Sequence, residues 1–264
     1  MTTDFGTSDW FVGTMEGVIL GIHPRASVVN ITHEIPPGDI RAGAFALMAS
    51  CRYFLKGTVH VAVVDPGVGS RRRAVAVRTA NGVFIGPDNG VLSWALRREK
   101  IISIRLLENR KFFLEPVSRT FHGRDIFASV AAHLSRGLSV ERLGRELKDL
   151  RRLPWPRPTK HGTNLQGQIV HIDRFGNAIT NLEGELLPGK VTGFCEVKGK
   201  RKVRCALAEC YSAVSPNQPL GVIGSCGLLE IAVNGGSAAR KFGLKIGDLV
   251  ITPQKANASE PAHS

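Results

Sequence analysis

The feature that most limits how this chain can fold is a break at residues 148–162, KDLRRLPWPRPTKHG. Its prolines, Pro154, Pro156 and Pro158, remove backbone donors and fix φ, which blocks a helix interior and a central strand alike. The segments on its two sides differ in kind. Before it, strand-type runs alternate with helical stripes. Residues 26–32, ASVVNIT, and 58–65, TVHVAVVD, read as buried strands. Residues 9–22 place Trp10, Phe11, Met15, Val18, Ile19 and Ile22 near a 3.6 period. Residues 39–54 and 123–135 read the same way, the latter with Ile126, Val130 and Leu134 on one stripe beside Phe127 and Ala131. Helices between strands imply crossovers, hence an α/β fold with a mostly parallel sheet. After the break, QIVHID, CEVKG, KVRCALA, LGVIG and LLEIAVN are short strand-type runs divided by Gly, Pro and Asn turns, as in a small barrel or sandwich. The expected layout is an N-terminal domain at 1–150, a Pro-rich linker at 151–165, a smaller β-domain at 166–252 and a polar, disordered tail at 253–264.

Bulk composition narrows the function classes. No stretch approaches the ~18 apolar residues of a spanning helix, and FVGTMEGVILGI is interrupted by Glu16. No basic region followed by an apolar run opens the chain, so a cytoplasmic protein with no membrane partner is expected. Cys51, Cys195, Cys205, Cys210 and Cys226 form no C-x-x-C, which favours reduced, buried thiols over a disulfide frame or zinc site. The 35 Lys and Arg against 22 Asp and Glu leave a net charge of +13. Those charges are scattered and not interleaved with aromatics, so a basic solvated surface is expected rather than a nucleic-acid partner.

Six segments carry candidate chemistry. In TDFGTSD, Asp4 stands at the end of a first strand, where its two oxygens can accept from a ribose diol. Thr7, Ser8 or Asp9 there can also cap the following helix. In HVAVVDPGVGSRRR, Asp65 ends an apolar strand, the position where open α/β sheets bind ligands. Arg72 comes within reach if the glycine-containing loop folds back; a turn Asp with surface arginines is the plainer reading. In TFHGRD, His122 opens a helix, whose N-terminus favours the neutral imidazole, able to orient or deprotonate water; a structural histidine is again the plainer reading. Asp88-Asn89-Gly90 reads as a structural turn. In DRFGNAITN, Asp173, Phe175 and Asn177 surround Gly176, offering a ring to stack on a base and an amide to read its edge. The strand end at Asn234 and Gly235 presents backbone amides.

Seven stretches in order resemble the family of S-adenosylmethionine (SAM) hydroxide adenosyltransferases, relatives of fluorinases and chlorinases. They are TDFGTSDWFVG, ITHEIPPGDIRAGAFAL, GTVHVAVVDPGVGSRRR, FIGPDNGVL, TFHGRD, DRFGNAITN and GSCGLLEIAVNGG, spanning residue 3 to about 252. The resemblance implies an N-terminal α/β/α domain and a C-terminal β-barrel. It also implies a homotrimer with the small-molecule substrate held between neighbouring subunits. It places a catalytic set on Asp65, Arg72 and His122, and ribose binding on Asp4 with Asp9 nearby. It places substrate binding on Asp173, Phe175, Asn177, Ser225, Asn234 and Gly235, with Tyr211 as a further aromatic face. Halogenating relatives carry tyrosine in place of Asp65 and lack the Arg-His pair, so the resemblance points to the water-using branch: SAM cleaved to adenosine and methionine, with SAM as substrate and no separate cofactor. Cys226 and Ile179 depart from residue types of some relatives, and the first strand is expected to be short. Competing readings are a halogenase, a nucleoside-binding module, and a metal-dependent phosphohydrolase using Asp4, Asp9, Asp65, Asp88 and His60.

Overall fold

The computed structural model describes residues 1–187, 194–198 and 202–253, so the expected tail beyond Pro253 lies outside the described residues. The chain divides into two compact units, Met1–Pro154 and Trp155–Ser264.

Unit 1 holds five strands: β1 (Thr2–Thr3), β2 (Thr58–Val63), β3 (Ala74–Thr79), β4 (Gly82–Pro87) and β5 (Ile101–Leu106), in the order β1-β2-β4-β3-β5. The β1–β2 and β2–β4 pairs are parallel, whereas β4–β3 and β3–β5 are antiparallel. The sheet is therefore mixed, which corrects the expectation of a mostly parallel one. The reason is local. Thr79 Oγ1 accepts from the Asn81 and Gly82 amides (3.2 and 3.1 Å) and closes a tight turn. A turn that short returns the chain antiparallel, because a parallel neighbour needs a crossover of a dozen residues or more.

Residues 26–32 do not form a strand. Only Thr32 bridges, to Thr2, while the Ile31 amide donates to the Met1 carbonyl (2.8 Å). A two-residue β1 offers no longer ladder. Strand β2 is apolar on both faces, as a strand buried between layers must be. Its Val61 and Val63 join one core with Met15, Ile19, Phe127 and Val130. Ala62 and Val64 join a second core with Leu47, Val75, Val77 and Phe84.

Helix α1 (Phe11–Ile22) buries Val12, Met15 and Ile19. Trp10 precedes it and is exposed, so the expected stripe begins one residue later, at Phe11. Helix α2 (Ile40–Cys51) is capped by the Asp39 carboxylate, which accepts from the Ala42 amide (2.9 Å). A π-helical turn (Gly123–Ala128) leads into α3 (Ser129–Ser135). Ile126, Phe127, Val130, Ala131 and Leu134 are all buried, as their spacing implies.

Unit 2 is built from β6 (Thr159–His161), β7 (Asn164–Ile172), β8 (Ala178–Glu183), β9 (Phe194–Lys198), β10 (Lys202–Leu207), β11 (Pro219–Ile223), β12 (Leu228–Val233) and β13 (Leu249–Pro253). The order is β13-β9-β10-β11-β12-β8-β7-β6, and β13 also pairs with β7. That pairing closes seven strands into a barrel, with β6 outside the closed ring. Closure leaves fewer open edges, and the interior is filled by Leu165, Ile169, Leu182, Val197, Leu229, Ile231 and Val250. β6 lies within the segment read as linker, and Pro253 ends β13 rather than opening a tail. The thiols correct a further expectation: Cys205 is buried, but Cys51 and Cys226 are half-buried and Cys210 is exposed.

Candidate active site

Strand β2 delivers Asp65 to the carboxyl edge of the sheet. Successive turns then fold the loop back. The Val68 amide donates to the Asp65 carbonyl (3.2 Å), the Ser70 amide to the Gly67 carbonyl (3.1 Å), and the Arg72 amide to Ser70 Oγ (3.2 Å). Gly69 makes this path possible. Its φ is +76°, and a Cβ there would collide with the Arg119 carbonyl oxygen. The Asp65–Arg72 loop thus passes close against the segment that carries His122.

The result is a linear chain of three side chains. Arg72 Nε donates to Asp65 Oδ1 (3.0 Å) and Oδ2 (2.8 Å), and Nη2 donates to Oδ2 at 2.5 Å. Nη2 also lies 2.7 Å from His122 Nδ1. The Asp65 and Arg72 side chains are 5% and 11% exposed, so this is a largely desolvated pair. The guanidinium stands 5.4 Å over the Phe127 ring. Burial, and then the Arg72 charge, push the His122 imidazole below the ordinary histidine range, which favours the neutral ring. Asp125, fully buried, accepts from the Ser118 amide (2.7 Å) and Arg124 Nε (2.5 Å) and orders the approach to His122.

Asp65 opens on a cleft of about 520 Å³ that Asp4 also lines, together with Phe5, Phe11, Gly38 and Phe121. One oxygen of Asp4, Oδ2, accepts from the Gly38 amide (2.8 Å). Its Oδ1 has no protein partner among the described residues and remains available to a ligand hydroxyl. The three phenylalanines pack on each other at 5.1–5.9 Å between centroids. Sequence reasoning missed them; Phe5 and Phe121 sat inside motifs whose polar members drew attention.

Other expected residues fall elsewhere. Asp9 is exposed and lies outside the cleft lining, and the N-cap position of α1 falls on Trp10, with no side-chain cap from Thr7, Ser8 or Asp9. Asp88 is buried and accepts from Arg73 Nε (2.7 Å) and the Arg151 amide (2.8 Å); Asn89 Nδ2 donates to the Val64 carbonyl (2.8 Å). That turn is structural. His60 is buried, stacks on Phe84 (4.8 Å) and meets Phe54 edge-on (5.3 Å). Asp88 and His60 thus take partners away from the cleft, and among the described residues no three metal-binding side chains gather.

In unit 2, the Asp173 carboxylate accepts from both the amide and the Nδ2 of Asn177 (2.8 and 2.9 Å). This shapes a turn in which Gly176 takes φ +86° and Phe175 is held out, 75% exposed. Ser225 occupies the exposed β11–β12 turn, beside Cys226. Asn234 Nδ2 donates to the Val214 carbonyl (2.7 Å), and Gly235 is exposed with φ +70°. Tyr211 donates its hydroxyl to Glu230 Oε2 (3.0 Å). Glu230 was not anticipated, although a carboxylate inside the apolar run LLEIAVN is a visible signal. Burial raises its pKa, and Asp173 adds to the rise. Burial first, then Glu230, push the Tyr211 hydroxyl up to about 12.

A mixed sheet with a carboxylate–guanidinium–imidazole chain that starts just beyond the end of β2, and a closed seven-stranded barrel in the same polypeptide, define a protein of the two-unit α/β and barrel class. The comparisons name the family. The SAM hydroxide adenosyltransferase N-terminal domain matches residues 1–144 and the C-terminal domain matches residues 167–251. The chain belongs to this family. It is 40% identical over 263 residues to an (R)-S-adenosyl-L-methionine hydrolase of Thermus thermophilus, covering 93% of this chain and 95% of the relative. It is 33% identical to another of that name from Methanocaldococcus jannaschii, covering 88% and 86%. A fluorinase of Actinoplanes is more distant, at 29% identity and 96% coverage of both. The solved structure of an uncharacterized conserved protein from Thermotoga maritima superposes with a TM-score of 0.90 at 36% identity, covering 96% of this chain and 98% of that one.

Proposed function

We propose that this protein hydrolyses SAM at ribose C5′, giving adenosine and methionine. The observation that carries this reading is the Asp65–Arg72–His122 chain, whose carboxylate opens on a cleft shared with Asp4. A sulfonium leaves as a neutral thioether, so the protein need supply no acid. What it must supply is an aligned water and a site poor in bulk solvent. Alignment is worth ~7–11 kcal/mol of barrier in favourable cases. Arg72 fixes the Asp65 carboxylate through charge-assisted bonds, and that carboxylate holds the water in line with the C–S bond. Asp4 receives the ribose diol through its open oxygen. In unit 2, Phe175 offers a stacking face, and Asp173, Asn177, Tyr211, Ser225, Asn234 and Gly235 contribute to substrate binding. The reaction consumes SAM as substrate and calls on no separate cofactor.

Family membership further supports a cytoplasmic homotrimer with sites completed by neighbouring subunits. Among the described residues no helix is long and apolar enough to cross a membrane. Light scattering on the eluted protein checks the trimer. The decisive experiment incubates the protein with SAM in ¹⁸O-water, with and without chloride or fluoride. Adenosine carrying ¹⁸O at its 5′-hydroxyl, with methionine, is the expected product. A 5′-halo-adenosine, or no turnover, overturns the proposal.

A further inference from the structure

We infer that Asp65 takes the proton from the attacking water, and that His122 is a positioning residue that holds Arg72. This rests on the hydrolytic reading above and assigns roles within it. Lone pairs decide between the two candidates. A guanidinium carries donors only and is not deprotonated in proteins. Its Nη2 lies 2.7 Å from His122 Nδ1, so Nδ1 is the acceptor and the ring proton sits on Nε2. The Ser118 carbonyl, on the segment leading to His122, favours an N–H on that ring. The lone pair a base would use is therefore already engaged by Arg72, and the other nitrogen holds a proton.

Asp65 is differently placed. Of the three side chains it is the one that lines the cleft. Its Oδ2 accepts from both Nε and Nη2, whereas Oδ1 accepts only from Nε at 3.0 Å. A carboxylate has about four acceptor sites, so Oδ1 retains a lone pair for a water in the cleft. In the step itself, the water oxygen bonds to C5′ as the C5′–S bond breaks and its electron pair passes to sulfur. The water's proton moves to Asp65 and then to solvent. Arg72 stays protonated throughout, and His122 keeps it from swinging off the carboxylate.

The groups facing the imidazole are Arg72, Asp65, Asp125 and the Ser118 carbonyl. The two carboxylates favour the imidazolium, and burial and Arg72 oppose it. Acid protonates Nδ1, which then repels Arg72. Even as a positioning residue, His122 thus imposes an acid limb on the rate.

Two measurements test the assignment. The first is the ¹⁵N spectrum of the histidine-labelled full chain at pH 7, with His122 assigned by its loss in the variant. An unprotonated Nδ1 and a protonated Nε2 are expected; an Nδ1–H tautomer or an imidazolium overturns the assignment. The second compares plateau kcat values. Asparagine at 122 keeps an acceptor oxygen for Arg72 and suits a helix start, but cannot take a proton. His122→Asn should fall by less than about tenfold and lose the acid limb, whereas His122→Leu should fall by about a hundredfold. Asp65→Asn should fall by about 10²–10⁴ with little change in adenosine affinity, the span of general-base assistance. If His122→Asn, folded by its melting curve, falls as far as Asp65→Asn, His122 is the base. If the wild type releases no adenosine, the hydrolytic reading fails, and the nitrogen spectrum still decides the tautomer.

Discussion

Replacing Arg72 by methionine isolates the electrostatics of the site from its packing. Methionine keeps an unbranched apolar stem beside Phe127 and removes every donor that reaches Asp65 from residue 72. The Asp65 side chain is 5% exposed, so solvent only partly replaces the guanidinium, through the one carboxylate oxygen that faces the cleft. Removing one partner of a buried pair costs about 3–5 kcal/mol, because the remaining charge is left uncompensated. For a unit of this size, about 1 kcal/mol corresponds to roughly 2–4 °C, so melting should drop by roughly 6–20 °C. The double variant Arg72→Met/Asp65→Leu removes the orphaned charge as well and should be more stable than the single one. Urea unfolding of wild type, both single variants and the double variant at pH 7 completes the cycle. A loss under about 1 kcal/mol for Arg72→Met, the range of a solvent-exposed pair, would refute the account of a desolvated chain.

Three further outcomes follow from the geometry. Gly69→Ala must adopt φ +76° and push against the Arg119 carbonyl, separating the two site-bearing loops. It should lower kcat by more than about tenfold (about 1.4 kcal/mol), whereas Gly57→Ala, also at positive φ but facing open space, should leave kcat alone. Tyr211→Phe deprives buried Glu230 of its hydrogen bond and should cost about 1–3 kcal/mol by urea midpoint, largely recovered in Tyr211→Phe/Glu230→Leu. Burial pushes His60 from 6.5 down to about 4, so the unfolded chain takes up that proton first as pH falls. The stability linked to it is complete above pH 6.5 and lost between there and about pH 4, amounting to about 3 kcal/mol; His60→Phe should flatten the unfolding free energy over that window.

Much of this molecule was readable from the chain, and the unread part has physical causes. The apolar run of β2 announced a strand buried on both faces, and the strand-end carboxylate with its glycine-bearing loop marked a candidate site beside the plainer reading of a turn Asp. Contact between Asp65 and Arg72 was legible as a possibility of loop length, but the turns that realise it depend on the Ser70 hydroxyl and on Gly69 meeting Arg119, a partner fifty residues away. The mixed sheet was hidden because the Asn81-Gly82 turn is short and its strands read equally well in either direction. The Phe5, Phe11 and Phe121 wall escaped because three rings far apart in sequence gather only once β1, α1 and the loop before α3 are in place. Asp9 and the N-terminal caps went astray for an opposite reason: residues with good capping chemistry were present, and the chain entered α1 through Trp10 instead.

The π-helical turn at Gly123–Ala128 fixes the angular phase between position 122 and the apolar stripe of α3. Each residue of an α-helix advances the chain by about 100°, and an i→i+5 turn accommodates one residue more than an α turn does. Deleting a single residue between 123 and 128 would leave Val130, Ala131 and Leu134 seated against the sheet while rotating the imidazole about a third of a circle from Arg72. Such a deletion would cost core packing from the turn itself and would also disconnect the third member of the chain.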